Sequence, residues 1–197
     1  MDIVKCSVIN TNCDQLIYFQ INTSGGRLLR FEKERLKDIA KQKLTSDLPF
    51  IAISYAYPHV IIWYSMYRIA VDIECNNKMK ISYAPIFTNK EELTYFGKLF
   101  REHSELKLLT MIWTWKEAVG KYFGVGLKYG YQTIQIEDNH FHISPVILKG
   151  VCTLEYMWGI NDEFAITMIR SENIKTYTLT QLQTALGLKT CRTMFYV

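Results

Sequence analysis

The stretch FIAISYAYPHVIIWYSMYRIAVDIE, Phe50 to Glu74, decides how this chain is read. Three runs within it are rich in β-branched and aromatic residues: Phe50 to Ser54, Val60 to Tyr64, and Ile69 to Ile73. Such side chains suit a pleated, half-buried surface. The turns Tyr57-Pro58-His59 and Ser65-Met66-Tyr67-Arg68 separate the runs, so the spacing predicts three consecutive strands in a meander. The last run ends in Val71-Asp72-Ile73-Glu74. Side chains at i and i+2 share one face of a strand. Asp72 and Glu74 therefore point together, while Val71 and Ile73 point into a core.

Moving toward the N-terminus, Ile3, Cys6, Val8 and then Leu16, Tyr18, Gln20 alternate as one or two strands, with Asn10-Thr11-Asn12 as the turn. Leu29, Leu36, Ile39 and Ala40 fall at helical spacings, which predicts an amphipathic helix from about Arg27 to Leu44. It carries Arg27, Arg30, Lys33, Arg35, Lys37, Lys41 and Lys43 against only Glu32, Glu34 and Asp38. This one segment accounts for the whole net charge of +4. A local basic helix beside a neutral body suits a polyanionic ligand or an acidic partner. A solvated helix face is the plainer reading of the charges alone.

Toward the C-terminus, Thr88-Asn89-Lys90-Glu91 reads as a capping box opening a helix that buries Leu93, Phe96 and Phe100. A second helix runs from near Ser104 to Phe123, with Trp115, Ala118, Val119 and Tyr122 as its apolar stripe and Gly124 as its C-cap. A hairpin around Asp138-Asn139-His140, strands near Cys152 to Trp158 and Phe164 to Ile169, and a short helix from about Thr180 to Leu186 follow. His140 and His142 share a strand face but have no third ligand nearby. Strands and helices come in separate blocks, so the class is α+β.

Composition narrows the function classes. The chain is 49% hydrophobic and 14% aromatic, which excludes disorder, and 10 Gly with 4 Pro exclude collagen-like sequence. No apolar run reaches the ~18 residues that span a bilayer. The start, Met1-Asp2-Ile3-Val4-Lys5, does not resemble a signal peptide. The cysteines at 6, 13, 75, 152 and 191 form no C-x-x-C pair, so neither zinc nor redox motif is present. The expectation is a cytoplasmic chain with reduced thiols and no membrane contact. No strongly basic groove accompanies the aromatic residues, so nucleic acid is not an expected partner.

Asp72 and Glu74 repel each other across one strand face. A hard divalent cation with oxygen ligands, such as Mg²⁺, removes that repulsion. On the second long helix Trp113, Glu117 and Lys121 lie one turn apart along one face, distinct from the apolar stripe. Taken singly, the first feature fits solvated acids and the second fits a surface ion pair.

Together, Val71-Asp72-Ile73-Glu74 followed by Trp113-x-x-Lys116-Glu117-Ala118-x-x-Lys121 resembles the double signature of the 4′-phosphopantetheinyl transferases, in their long, surfactin-synthetase-activating (Sfp-type) branch. Ile53-Ser54, Ile86-Phe87-Thr88-Asn89-Lys90-Glu91-Glu92, Gly124-Val125-Gly126-Leu127, Glu155-Tyr156 and Phe164-Ala165-Ile166-Thr167 extend the resemblance over about Pro49 to Leu182. It implies two pseudo-symmetric α+β halves, residues 1–68 and 69–197, the first shortened. It implies transfer of the phosphopantetheine arm of coenzyme A to a serine of an acyl or peptidyl carrier protein by a monomer, releasing adenosine 3′,5′-bisphosphate. Asp72, Glu74 and Glu117 are then the Mg²⁺ ligands, Glu117 the general base, and Lys121 the phosphate contact. Ser54, Tyr55 and Lys116 fall at coenzyme A positions, and Arg27, Arg30 and Arg35 are candidate phosphate contacts. Tyr55 stands where the family has a His touching the 3′-phosphate, and Val125 stands where a Lys is common. The family's upstream Gly-Lys-Pro segment is missing. These departures keep open the alternative of a member that binds coenzyme A or a carrier without transfer.

Overall fold

The computed structural model describes residues 1–45, 47–124, 134–137, 140–143, 154–171 and 179–196. The expected turn beyond Gly124, the hairpin tip Asp138-Asn139 and Cys152 lie outside them. Strands and helices mix as an α+β chain, with two four-stranded antiparallel sheets.

The first sheet, sheet A, runs β1 (Asp2–Asn10), β2 (Asp14–Asn22), β4 (His59–Ser65), β3 (Phe50–Ala56) in spatial order. The β1–β2 turn closes on Thr11, whose Oγ1 accepts the Asp14 amide at 3.0 Å. The helix α1 (Arg30–Gln42) lies between β2 and β3 in the chain. It begins three residues later than the periodicity suggests, where the Glu32 carboxylate accepts the Leu29 amide at 2.9 Å.

The second sheet, sheet B, runs β10 (Thr190–Tyr196), β8 (Leu154–Ile160), β9 (Phe164–Ser171), β5 (Ile69–Cys75). Between β5 and β8 come α2 (Ala84–Phe87), α3 (Lys90–Leu99), α4 (Glu105–Phe123) and the hairpin β6 (Ile134–Glu137) and β7 (His140–Ile143). The short α5 (Leu179–Leu186) precedes β10 and stops at Gly187, whose φ is 66°.

The predicted meander is corrected here. β3 and β4 form a hairpin, but β5 leaves for the other sheet and pairs with β9, Asp72 opposite Thr167. β4 has two edges, and β2 and β3 occupy both. No ladder position on β4 remains for β5. The capping box also sits one residue later than expected. Asn89 accepts the Glu92 amide at 2.8 Å, and Glu92 accepts the Asn89 amide at 3.1 Å. α4 follows the prediction, with Ser104 as N-cap and Gly124 at φ 71°.

The layers stack as α1, sheet A, sheet B, then α3 with α4. Leu36 and Ala40 of α1 pack on Ile17, Phe19, Val60 and Ile62. The opposite face of sheet A, with Leu16, Tyr18, Ile61 and Trp63, meets Val71, Ile73, Ile166 and Met168 of sheet B. Trp115, Val119 and Phe96 cover the far face of sheet B against Tyr156 and Trp158. Strands covered on both faces read as continuous apolar runs, which is why His59–Ser65 is buried along its whole length. Among the described residues, no helix is long and apolar enough to cross a membrane.

Candidate functional site

β3 is an edge strand of sheet A and β5 is an edge strand of sheet B. They lie side by side without a backbone ladder, and side chains join them. The Ser54 hydroxyl donates to Asp72 Oδ1 at 2.9 Å and accepts the Ile73 amide at 3.2 Å. The Cys75 thiol donates to the Ala56 carbonyl at 3.3 Å. The i, i+2 alternation of β5 sends Val71 and Ile73 into the inter-sheet core and leaves Asp72 and Glu74 on the other side.

α4 crosses over this seam. Its buried stripe is fixed by Trp115, Ala118, Val119 and Tyr122, so Trp113, Glu117 and Lys121 face the strand edges. Lys121 donates to Asp72 Oδ1 at 2.6 Å, and its ammonium also reaches Ser54 Oγ and the Val71 carbonyl, each at 3.3 Å. The result is a cleft of about 320 Å³. Ser54 and Tyr55 of β3, Asp72 and Glu74 of β5, and Trp113, Glu117 and Lys121 of α4 all line it. Phe87 braces Trp113 edge to face, with ring centroids 5.2 Å apart.

The electrostatics of the cleft are strained toward protonation. Burial pushes the Asp72 carboxyl above the usual carboxylate range, while the charge and hydrogen bond of Lys121 and the Ser54 hydroxyl pull the other way. Burial also raises Glu117, the charges of Asp72 and Glu74 raise it further, and Lys121 opposes them. Three acids thus share one electrostatic unit. Their donors are all hard carboxylate oxygens, the chemistry Mg²⁺ takes. Among the described residues, no three His, Cys, Asp or Glu side chains stand close enough to form a ready-made metal cage.

Residues 68–169 match the model of the 4′-phosphopantetheinyl transferase superfamily. The chain belongs to that superfamily. No curated protein matches it. The matched segment starts at the turn into β5 and ends in β9, so it carries the three acids and Lys121. Ser54 and Tyr55, which also line the cleft, lie outside the match, on sheet A.

Four expected contacts are placed elsewhere. Lys116 turns away from the cleft and pairs with Glu92 at 2.8 Å, both side chains buried. Burial lowers the Lys116 ammonium, and Glu92 opposes the shift. The neighbouring apolar stripe carries Lys116 inward with it. Arg27, Arg30 and Arg35 are exposed and do not line the cleft. The basic helix reaches the cleft through Lys33 instead, a residue that charge counting alone does not tell apart from its neighbours. The legible signal is angular: Lys33 borders the buried stripe of Glu32, Leu36 and Ala40 on the helical wheel, whereas Arg30 and Arg35 stand farther from it.

Proposed function

We propose that the chain transfers the phosphopantetheine arm of coenzyme A to a serine hydroxyl of an acyl or peptidyl carrier protein, as a member of the Sfp-type branch. One observation carries this reading: Asp72, Glu74, Glu117, Lys121 and Ser54 converge from two sheet edges and one helix on a single cleft. In the reaction the carrier serine oxygen forms a bond to the phosphorus next to the pantetheine. The bond to the bridging pyrophosphate oxygen breaks, and adenosine 3′,5′-bisphosphate leaves.

Glu117 takes the serine proton. A carboxylate raised by burial and by neighbouring acids is a stronger base near neutral pH than a solvated one. Lys121 supplies fixed positive charge beside the acids, toward the anionic part of the substrate. Asp72, Glu74 and Glu117 would hold Mg²⁺ together with substrate phosphate oxygens, since this ion is commonly bound by one or two carboxylates plus phosphates. When bound, it would neutralise charge developing on the pyrophosphate. The reading takes residues 1–68 and 69–197 as the two pseudo-symmetric halves of a cytoplasmic monomer.

The test is the intact mass of an apo carrier protein after incubation with the chain, coenzyme A and Mg²⁺. A gain of one phosphopantetheine, absent with Asp72→Ala, is the expected result. No gain on either a peptidyl or an acyl carrier, with the protein folded, overturns the transfer reaction.

A further inference from the structure

Lys121 sits in a seat of oxygens. Its ammonium donates to Asp72 Oδ1 at 2.6 Å, to Ser54 Oγ at 3.3 Å and to the Val71 carbonyl at 3.3 Å. An ammonium has three donors and no acceptor, so these three oxygens satisfy it. The Ser54 hydroxyl also donates to Asp72 Oδ1 and accepts the Ile73 amide. Asp72 Oδ1 thus takes two hydrogen bonds, one for each lone pair. Glu117 lies one turn before Lys121 on α4, the spacing of a helical ion pair. Among the described residues, however, the salt bridge of Lys121 is to Asp72. Glu74 has a lysine as well, Lys78 at 3.8 Å.

Oxygen donors of this kind are also what a hard divalent cation takes. Lys121 therefore stands where such an ion would gain most from Asp72, and two cations at one carboxylate repel each other. Burial sharpens the competition. Asp72 is 6% exposed, so water screens little there. The Lys121 side chain is 38% exposed and can turn toward solvent while the apolar stripe of α4 stays packed. We infer that Lys121 is the resident counter-ion of Asp72, a cation that has to leave this carboxylate before a divalent ion binds it. The folded chain then holds a divalent ion weakly by itself, and an anion that draws the ammonium off Asp72 strengthens the site. Anion and metal favour each other through Lys121, and the coupling is reciprocal. The inference deepens the proposed function and rests on it for the metal's role. The competition itself rests on geometry.

The test is Mn²⁺ binding to the folded chain, without nucleotide or carrier protein, read from the electron paramagnetic resonance signal of the free ion. Lys121→Met is expected to bind Mn²⁺ about tenfold or more tightly than wild type, because a unit charge beside the carboxylate is gone. Lys121→Arg keeps the binding weak. Lys41→Met removes an exposed charge from the basic helix and leaves wild-type affinity. Asp72→Asn added to Lys121→Met returns the affinity to the wild-type range. In wild type, saturating Mn²⁺ should speed the modification of Lys121 by an amine reagent, measured by peptide mass against Lys41. Thermal unfolding checks each variant's fold. Equal affinity in wild type and Lys121→Met overturns the inference. An equal gain in Lys41→Met shows net charge alone at work and overturns it too, as does a gain in Lys121→Met that survives Asp72→Asn. Unchanged labelling of Lys121 with the metal bound overturns the displacement, and that measurement needs no variant. No readout involves carrier modification, so a failed transfer reaction overturns the proposed function and leaves the metal competition standing.

Discussion

Arg170 on β9 and Asp14 on β2 meet across the two packed sheets at 3.3 Å, although 156 residues separate them. Both side chains are fully buried. The same guanidinium pairs with Glu155 on β8. One cation thus serves two acids from different strands, and it ties sheet A to sheet B. Removing one partner of such a buried group leaves an uncompensated charge.

Arg170→Met is therefore expected to destabilise the fold by about 3–5 kcal/mol. Urea unfolding followed by tryptophan fluorescence measures it. A loss below about 1 kcal/mol, the size of an exposed pair, would show that the network contributes little.

Two lysines on α4 should separate stability from activity. Lys116 is buried against Glu92, so Lys116→Met is expected to cost about 3–5 kcal/mol of stability while the molecules that remain folded keep their rate. Lys121 is partly exposed and Asp72 keeps its hydrogen bond from Ser54, so Lys121→Met should cost clearly less stability than Lys116→Met while lowering kcat/KM. Paired unfolding and carrier-modification assays distinguish them, and a reversed pattern would undo both assignments.

Glu117→Gln removes the proposed base while keeping shape and size. General-base catalysis contributes about 10²–10⁴-fold, so kcat for carrier modification should fall by that order with the fold intact. A rate within a few-fold of wild type would assign the proton to another group.

The buried His59 makes stability depend on pH. It is 1% exposed, and its ring lies 2.8 Å from the Tyr18 hydroxyl. Burial pushes the imidazole down to about 4, and the charge of Lys78 adds to this. The unfolded chain takes up a proton near pH 6.5, but the folded chain does not until about 4. This contribution is fully present above pH 6.5 and is lost as pH falls through that window, to a limit of roughly 3 kcal/mol. His59→Gln should flatten the slope of unfolding free energy between pH 6.5 and 4. An unchanged slope would mean that the exposed Glu163 carboxylate, 3.4 Å away, meets the charged ring well enough to cancel the penalty.

What the sequence makes legible here is what is local. The face shared by Trp113, Glu117 and Lys121 follows from helical periodicity, and the common side of Asp72 and Glu74 follows from strand alternation. The destination of β5 was hidden, because pairing with β9 depends on which ladder edges are already taken. The capping box slipped by one residue because Thr88 and Asn89 are both competent caps with a Glu three residues on. Lys33 was obscured by its six basic neighbours on the same segment, which only the helix's docking angle tells apart. Arg170 gave no signal either: nothing in a strand sequence shows that a guanidinium will find two acids inside a core.

The seam between β3 and β5 has a consequence for biosynthesis. Ser54 and Lys121 are 67 residues apart and come from elements that share no ladder. The cleft cannot exist in an unfinished chain: sheet A can close while α4 is still unmade, and until α4 docks, Asp72 lacks its lysine. Assembly of the cleft is therefore a late event on the ribosome, and a product that stops before α4 carries Asp72 and Glu74 without Glu117 or Lys121.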